Sequence, residues 1–228
     1  MKISGVILAA GKGTRMKSSL PKVLQPVLGK AMISYAQSAI KNLDNKYVIL
    51  GHESETVSDH IFEGYKIVEQ KEQLGTGHAV VTLLDSDEFK SDNCDYLIIT
   101  PGDVPLIDKS EIDKLIDAVT KNNSALGLIT AEVQNPSGYG RIVRNKEHAK
   151  KIVEEADASE EEKSINEINS GIYCVNKEFL ISNINTIKSD NAQNEFYLTD
   201  LIEIAFQNKQ DAVIVQVIED TIKGVNSM

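Results

Sequence analysis

Four cations, Lys12, Arg15, Lys17 and Lys22, fall within eleven residues, interleaved with Gly11 and Gly13. They follow directly on the apolar run Ile3–Ala10 (ISGVILAA). Glycines let backbone N–H groups come close to an anion, and guanidinium and ammonium groups neutralise phosphate oxygens. The stretch is neither of the two common phosphate loops. A Walker A loop needs G-x-x-x-x-G-K-[ST], but here Lys12 precedes Gly13, and a dinucleotide fingerprint would need a glycine where Met16 stands. The chemistry that remains is a grip on a polyphosphate; a plain structural turn is the alternative.

Two further loops carry residues of the right type. In Glu69–His78 (EQKEQLGTGH) two glycines again follow an apolar stretch, and Gln70 and Gln73 offer amides able to pair with the donor and acceptor edge of a base. Amide pairing discriminates well, because an unmatched buried polar group is costly. In Thr100–Leu106 (TPGDVPL) the carboxylate of Asp103 lies beside Gly102 at the end of YLIIT, a natural perch for a hard divalent cation. Taken singly, each of these two loops is also explained by an ordinary turn.

Positioning them requires strands that end where the loops begin. Ile3–Ala10, Lys46–Leu50, Tyr65–Glu69, Tyr96–Thr100 and Ala125–Glu132 read as short buried strands. Helical spacing covers Ala31–Leu43, Glu55–Phe62, Gly77–Leu84 and Lys109–Lys121, the last with Ser110 as its expected N-cap. Strands alternating with helices predict an α/β fold with a mostly parallel sheet, in which the three loops converge on the carboxyl edge, where open α/β sheets bind ligands. After Asn135 the texture changes. Arg141–Arg144, Lys151–Glu155 and Gly171–Val175 read as short strands around an acidic loop, Asp157–Lys163. Phe196–Asn208 reads as a helix and Ala212–Ile218 as a last strand. The expected organisation is one domain over residues 1–228, with a first part at about 1–134 and an elaborated second part at about 135–228.

Composition narrows the partners. The chain has 228 residues, 41% of them apolar, and a formal net charge of −10, which disfavours a general nucleic-acid binder. Residues 1–43 nevertheless hold seven Lys/Arg and no acid, whereas the other 185 hold 17 Lys/Arg against 34 Asp/Glu. A positive segment on an acidic chain suits a local anionic ligand. No apolar run is long enough to span a membrane, and no signal peptide opens the chain, so a cytoplasmic location is expected. Cys94 and Cys174 have no nearby cysteine or histidine at zinc-ligand spacing and read as reduced, half-buried thiols.

In order along the whole chain stand LAAGKGTRM, LPKVL, EQLGTGHA, GDVPL, GYGRI, IVE, INSGIY, NAQNEFYLTD and GVN. This set resembles the uridylyltransferase (pyrophosphorylase) part of the bacterial bifunctional enzymes that make UDP-N-acetylglucosamine. The resemblance implies a Rossmann-like nucleotidyltransferase fold and, as reaction, UTP plus N-acetylglucosamine-1-phosphate giving UDP-N-acetylglucosamine, a cell-wall and glycan precursor, and pyrophosphate. It implies that Leu8, Ala9, Ala10 and Gly11 contact the nucleotide through backbone, that Arg15 and Lys22 hold phosphates, and that Gln70, Gly75 and Thr76 surround the uracil. Gly140, Glu154 and Asn169 would bind the sugar phosphate, and Asp103 and Asn226 would ligate Mg²⁺. A homo-oligomer is left open.

Pro101 departs from the pattern by removing a backbone donor and is kept out of the expected site. The hexapeptide repeats of the acetyltransferase β-helix that follows in the bifunctional enzymes are absent, so acetyl transfer is not expected. Another sugar phosphate as substrate, or a non-catalytic nucleotide-sugar binder, is the rival reading.

Overall fold

The computed structural model describes residues 1–11, 18, 20–51, 54–210 and 212–224. Its first half alternates as the apolar spacing predicts. Strand β1 (Ile3–Ala9) is followed by a 3₁₀ turn (Lys22–Leu24), a small hairpin of β2 (Pro26–Val27) and β3 (Lys30–Ala31), and helix α1 (Met32–Ile40). Then come β4 (Lys46–Leu50), α2 (Ser54–Ser58), β5 (Tyr65–Glu69), α3 (Thr76–Asp85), α4 (Asp87–Lys90), β6 (Tyr96–Pro101), α5 (Lys109–Lys121) and β7 (Leu126–Glu132). The second half holds β8 (Arg141–Asn145), β9 (His148–Val153), α6 (Glu160–Lys163), β10 (Glu167–Asn176), α7 (Lys177–Asn183), α8 (Asp200–Gln207) and β11 (Val213–Val217).

Among the described residues the main sheet runs β11-β7-β10-β6-β1-β4-β5, with β8 joined to β10 and β9 to β8. β1 pairs in parallel with β4 and β6, β4 with β5, and β11 with β7. β10 is inserted antiparallel between β6 and β7. Both faces are covered, so the central strands are apolar throughout rather than alternating. Val6, Ile49, Leu97 and Ile99 face the core beneath α3, α7 and α8. Ile7, Val48, Leu50 and Ile98 face the one beneath α1 and α5. Neighbours in sequence go to opposite cores because successive strand side chains alternate.

Several boundaries differ from expectation for local reasons. The N-cap of α5 is Asp108, whose Oδ1 accepts from the Ser110 N–H at 2.7 Å, so Ser110 lies inside the helix. The acidic stretch expected as a loop forms one helical turn, because Ser159 and Glu162 close a capping box. β9 ends at Val153, and the chain turns there with Asp157 N–H bonded to Glu154 O at 3.0 Å. α8 starts at Asp200, not Phe196, since residues 196–198 are bonded to the loop before α3. Cys94 and Cys174 are fully buried, and burial pushes their thiols up to about 11 and about 12.

Candidate active site

Because β1, β4, β5 and β6 run in parallel, the carboxyl ends of β1, β5 and β6 lie on one edge of the sheet. Leu8, Ala9, Ala10 and Gly11 lie at the carboxyl end of β1, where Leu8 O accepts from Gly102 N–H at 2.9 Å. That bond seats the turn after β6, which carries Asp103, against the end of β1. Lys22, at the start of the 3₁₀ turn, reaches across and forms an ion pair with Asp103 Oδ2. The two side chains are only 15% and 25% exposed, so the pair sits in the seam rather than out in solvent. Two expected site residues 81 positions apart are thus joined. Arg15 and Asn226 lie outside the described residues.

In the second loop Gln70 is 98% buried. Its Nε2 donates to Gly75 O at 3.2 Å and meets His78 Nδ1 at 2.9 Å. Donation to Gly75 O orients the amide, with Nε2 also toward His78 Nδ1. The amide atom not used in these bonds is the acceptor Oε1. Gln73, the other candidate base reader, donates instead to the backbone carbonyl of Gln70 at 2.8 Å. Gly75 has φ of 109° and ψ of 175°, a conformation closed to side-chain-bearing residues. A Cβ there would also lie 2.6 Å from Phe196 O. That closeness serves a purpose. Gly77 N–H donates to Phe196 O at 2.7 Å, Phe196 N–H to Leu74 O at 2.8 Å, and Leu198 N–H to Thr76 Oγ1 at 3.0 Å. Thr76 therefore also bonds the NAQNEFYLTD segment to the loop.

The same segment leads to the third group. Thr199 Oγ1 donates to Glu154 Oε1 at 3.3 Å. Gly140 faces that carboxylate: a Cβ on it would be 2.9 Å from the Ile152 side chain and 3.4 Å from both Glu154 oxygens. Asn169 N–H donates to Gly140 O at 2.9 Å, while its side-chain Nδ2 donates to Tyr173 OH at 2.7 Å. Gly140 just before β8, Glu154 just after β9 and Asn169 on β10 are thus brought together. Thr199, Tyr173 and His78 were not singled out from sequence as site residues. Each lies within a quoted motif or its border, but only the pairing shows a role.

This corner is acidic. Burial raises the Glu154 carboxyl above the ordinary range, and Asp157, Asp200 and Glu195 add to it, against the opposing Thr199 bond. Burial, with Glu203 and Asp157 nearby, raises Asp200 to about 6. Tyr197, bonded to Asp157 Oδ2 at 3.2 Å, is pushed up to about 12, mainly by burial. Among the described residues no three His, Cys, Asp or Glu side chains are grouped to hold a metal by themselves.

A model of the MobA-like NTP transferase domain matches residues 5–166, which include most of β1, the loop before α3, Asp103 and Glu154. The chain belongs to that family. Relatives of this MobA-like NTP transferase chain include the bifunctional protein GlmU of Clostridium botulinum (strain Loch Maree / Type A3), 42% identical over 97% of this chain and 49% of the relative. GlmU of Clostridium perfringens (strain ATCC 13124) is 42% identical over 100% of this chain and 50% of its own. The chain spans about half the length of these curated relatives. Among solved structures, a UDP-glucose pyrophosphorylase complexed with UDP-glucose superposes with a TM-score of 0.77 at 18% identity, covering 95% of this chain and 90% of that one. The inositol-1-phosphate CTP transferase from T. maritima gives 0.70 at 13% identity, over 95% and 86%. At such identities these two structures speak for the fold of the MobA-like NTP transferase chain alone. No helix among the described residues is long and apolar enough to cross a membrane.

Proposed function

We propose that this chain is a UDP-N-acetylglucosamine pyrophosphorylase, transferring UMP from UTP to N-acetylglucosamine-1-phosphate with release of pyrophosphate. One observation carries the reading. A continuous run of contacts links the Gln70 loop through Thr76, Leu198 and Thr199 to Glu154, and through Gly140 to Asn169. The residues matched to base recognition and those matched to sugar recognition are thus tied together by one connected set of contacts.

Each residue has a task in that reaction. Gln70 spends its donors on Gly75 and His78, so Oε1 is what it offers to the N3–H of uracil, and the amide is held for it. Cytosine has no N–H at N3 and so meets acceptor against acceptor. Gly140 and Asn169 present backbone and amide groups to the sugar, and Glu154, held by Thr199, accepts from its hydroxyl or amide groups. An oxygen of the sugar phosphate attacks the α-phosphorus in line, the bond to the pyrophosphate oxygen breaks, and pyrophosphate leaves. No covalent enzyme intermediate is needed, since the nucleophile is already an anion. Two like charges about 4 Å apart repel by roughly 4 kcal/mol at an effective dielectric near 20. Arg15 and Lys22 are the cations set to offset that repulsion, and positioning supplies most of the remainder.

Asp103 fits a magnesium site. It is a hard oxygen donor on a turn fixed to β1, and Mg²⁺ is commonly held by one or two carboxylates plus substrate phosphates and water. When bound there, Mg²⁺ would supply charge neutralisation at the reacting phosphates. Asn226 is the second expected ligand. β11 lies three strand spacings from β6, about 14 Å. Of the nine positions from Val217 to Asn226, Glu219–Ile222 form a 3₁₀ turn, so the reach is up to roughly 25 Å, more than that spacing.

Pyrophosphate release over a panel of substrates tests the reading. UTP with N-acetylglucosamine-1-phosphate is expected to outperform CTP, and glucose-1-phosphate, by at least about tenfold. Equal turnover of CTP would remove Gln70 as the uracil reader, and equal turnover of glucose-1-phosphate would point to another sugar phosphate.

A further inference from the structure

Resting on the nucleotidyl-transfer reading, we propose that Lys22 is a placeholder cation. In the free protein it occupies the charge of Asp103, and it is exchanged onto the nucleotide's phosphates when a divalent ion takes that carboxylate. The observation is the Lys22–Asp103 ion pair itself, formed between the residue matched to phosphate binding and the residue matched to metal binding. Asp103 lends its charge to one first-neighbour cation at a time at full strength. An ammonium and a divalent ion on the same carboxyl group repel each other, so they compete.

The exchange needs only a side-chain movement, because the backbone under both partners is locked. Val23 and Leu24, directly after Lys22, are 7% and 4% exposed, and Leu24 N–H donates to Pro21 O at 2.9 Å. Gly102 N–H is bonded to Leu8 O, and a Cβ on Gly102 would lie 3.2 Å from Val23 Cγ1, so the Asp103 turn and the Lys22 turn are packed on each other. What can swing is the four-carbon lysine stem, whose compact ammonium rotates its donors freely. A half-buried Asp103 left bare would repel an incoming triphosphate. Lys22 cancels that charge until a metal replaces it, and is then released beside the phosphates the metal brings. Metal alone must compete with Lys22 for Asp103, and that competition weakens its binding. By linkage, nucleotide and metal then strengthen each other's binding by the same factor.

The test is Mn²⁺ binding to the full chain without nucleotide, followed by the electron paramagnetic resonance of free Mn²⁺. Lys22→Met is expected to bind Mn²⁺ at least about fivefold more tightly than the unaltered chain, the lower end of ordinary coupling factors. Lys22→Arg, which keeps a cation over Asp103, should stay near the unaltered value. The double variant Lys22→Met/Asp103→Asn should lose the gain. Equal or weaker Mn²⁺ binding by a folded Lys22→Met overturns the proposal, as does a gain that survives in the double variant. Should Lys22→Met fail to fold, Lys22→Gln, which keeps a polar group there, carries the same expectation. A separate titration of the unaltered chain with UTP and Mg²⁺ shows whether the nucleotide reading itself fails, whatever the Mn²⁺ result.

Discussion

Replacing Asp200 by Asn should make folding stability less sensitive to pH, with a sign that follows from burial. Asp200 opens α8 in a part-buried corner with Glu203 and Asp157, and its carboxyl is raised from 3.8 to about 6. The folded protein therefore holds this proton more tightly than the unfolded chain does. The resulting stabilisation is complete below about pH 4 and is lost as pH rises through about 6. A rise of that size corresponds to roughly 3 kcal/mol. Partial exposure screens it, and a carboxylate at the amino end of a helix recovers about 0.3–1 kcal/mol. The expected loss is then about 1–2 kcal/mol. Asn carries no charge at either pH and escapes the loss. The stability of Asp200→Asn relative to the unaltered chain should thus be about 1–2 kcal/mol higher at pH 8 than at pH 4. Comparing the two pH values cancels any pH-independent change in packing. Urea titrations at both values, with unchanged slope, measure it. An offset of zero, or one favouring Asp200 at pH 8, would refute the account of this corner as a desolvated acidic cluster.

Gly75→Ala should destabilise the fold by about 3 kcal/mol or more, from backbone strain of about 1–3 kcal/mol and loss of bonds worth about 0.5–1.5 kcal/mol each. Its KM for the nucleotide should rise as the Gln70 amide loses its support, and stability within about 0.5 kcal/mol of the unaltered chain in urea would contradict the geometry at Phe196. Arg15→Ala should leave thermal unfolding unchanged while lowering turnover on the order of 10²-fold or more; turnover within a factor of two would remove it from the phosphate grip.

The sequence by itself determined most of the scaffold. Lys46–Leu50 and Tyr65–Glu69 emerge as strands with the bounds read from their residues, and Lys109–Lys121 as a helix, because burial on one or two faces leaves a periodic apolar signature. The expected parallel run of β1, β4, β5 and β6, with their carboxyl ends on one edge, is found for the same reason, since buried strands alternating with helices leave few topologies. Tertiary structure decided the rest. Local pattern cannot show that β10 enters antiparallel between β6 and β7, because that choice lies in pairing between distant segments. Nor can it show why α8 begins late. Residues 196–198 are helix-compatible, yet their backbone is bonded to Leu74, Thr76 and Gly77, and that non-local bonding overrides local propensity. The ion pair of Lys22 with Asp103 and the raised carboxyls of Glu154 and Asp200 have the same origin. Residue types fix which charges exist; only the folded chain fixes their distances and the water removed from around them, and those set the electrostatics of the site.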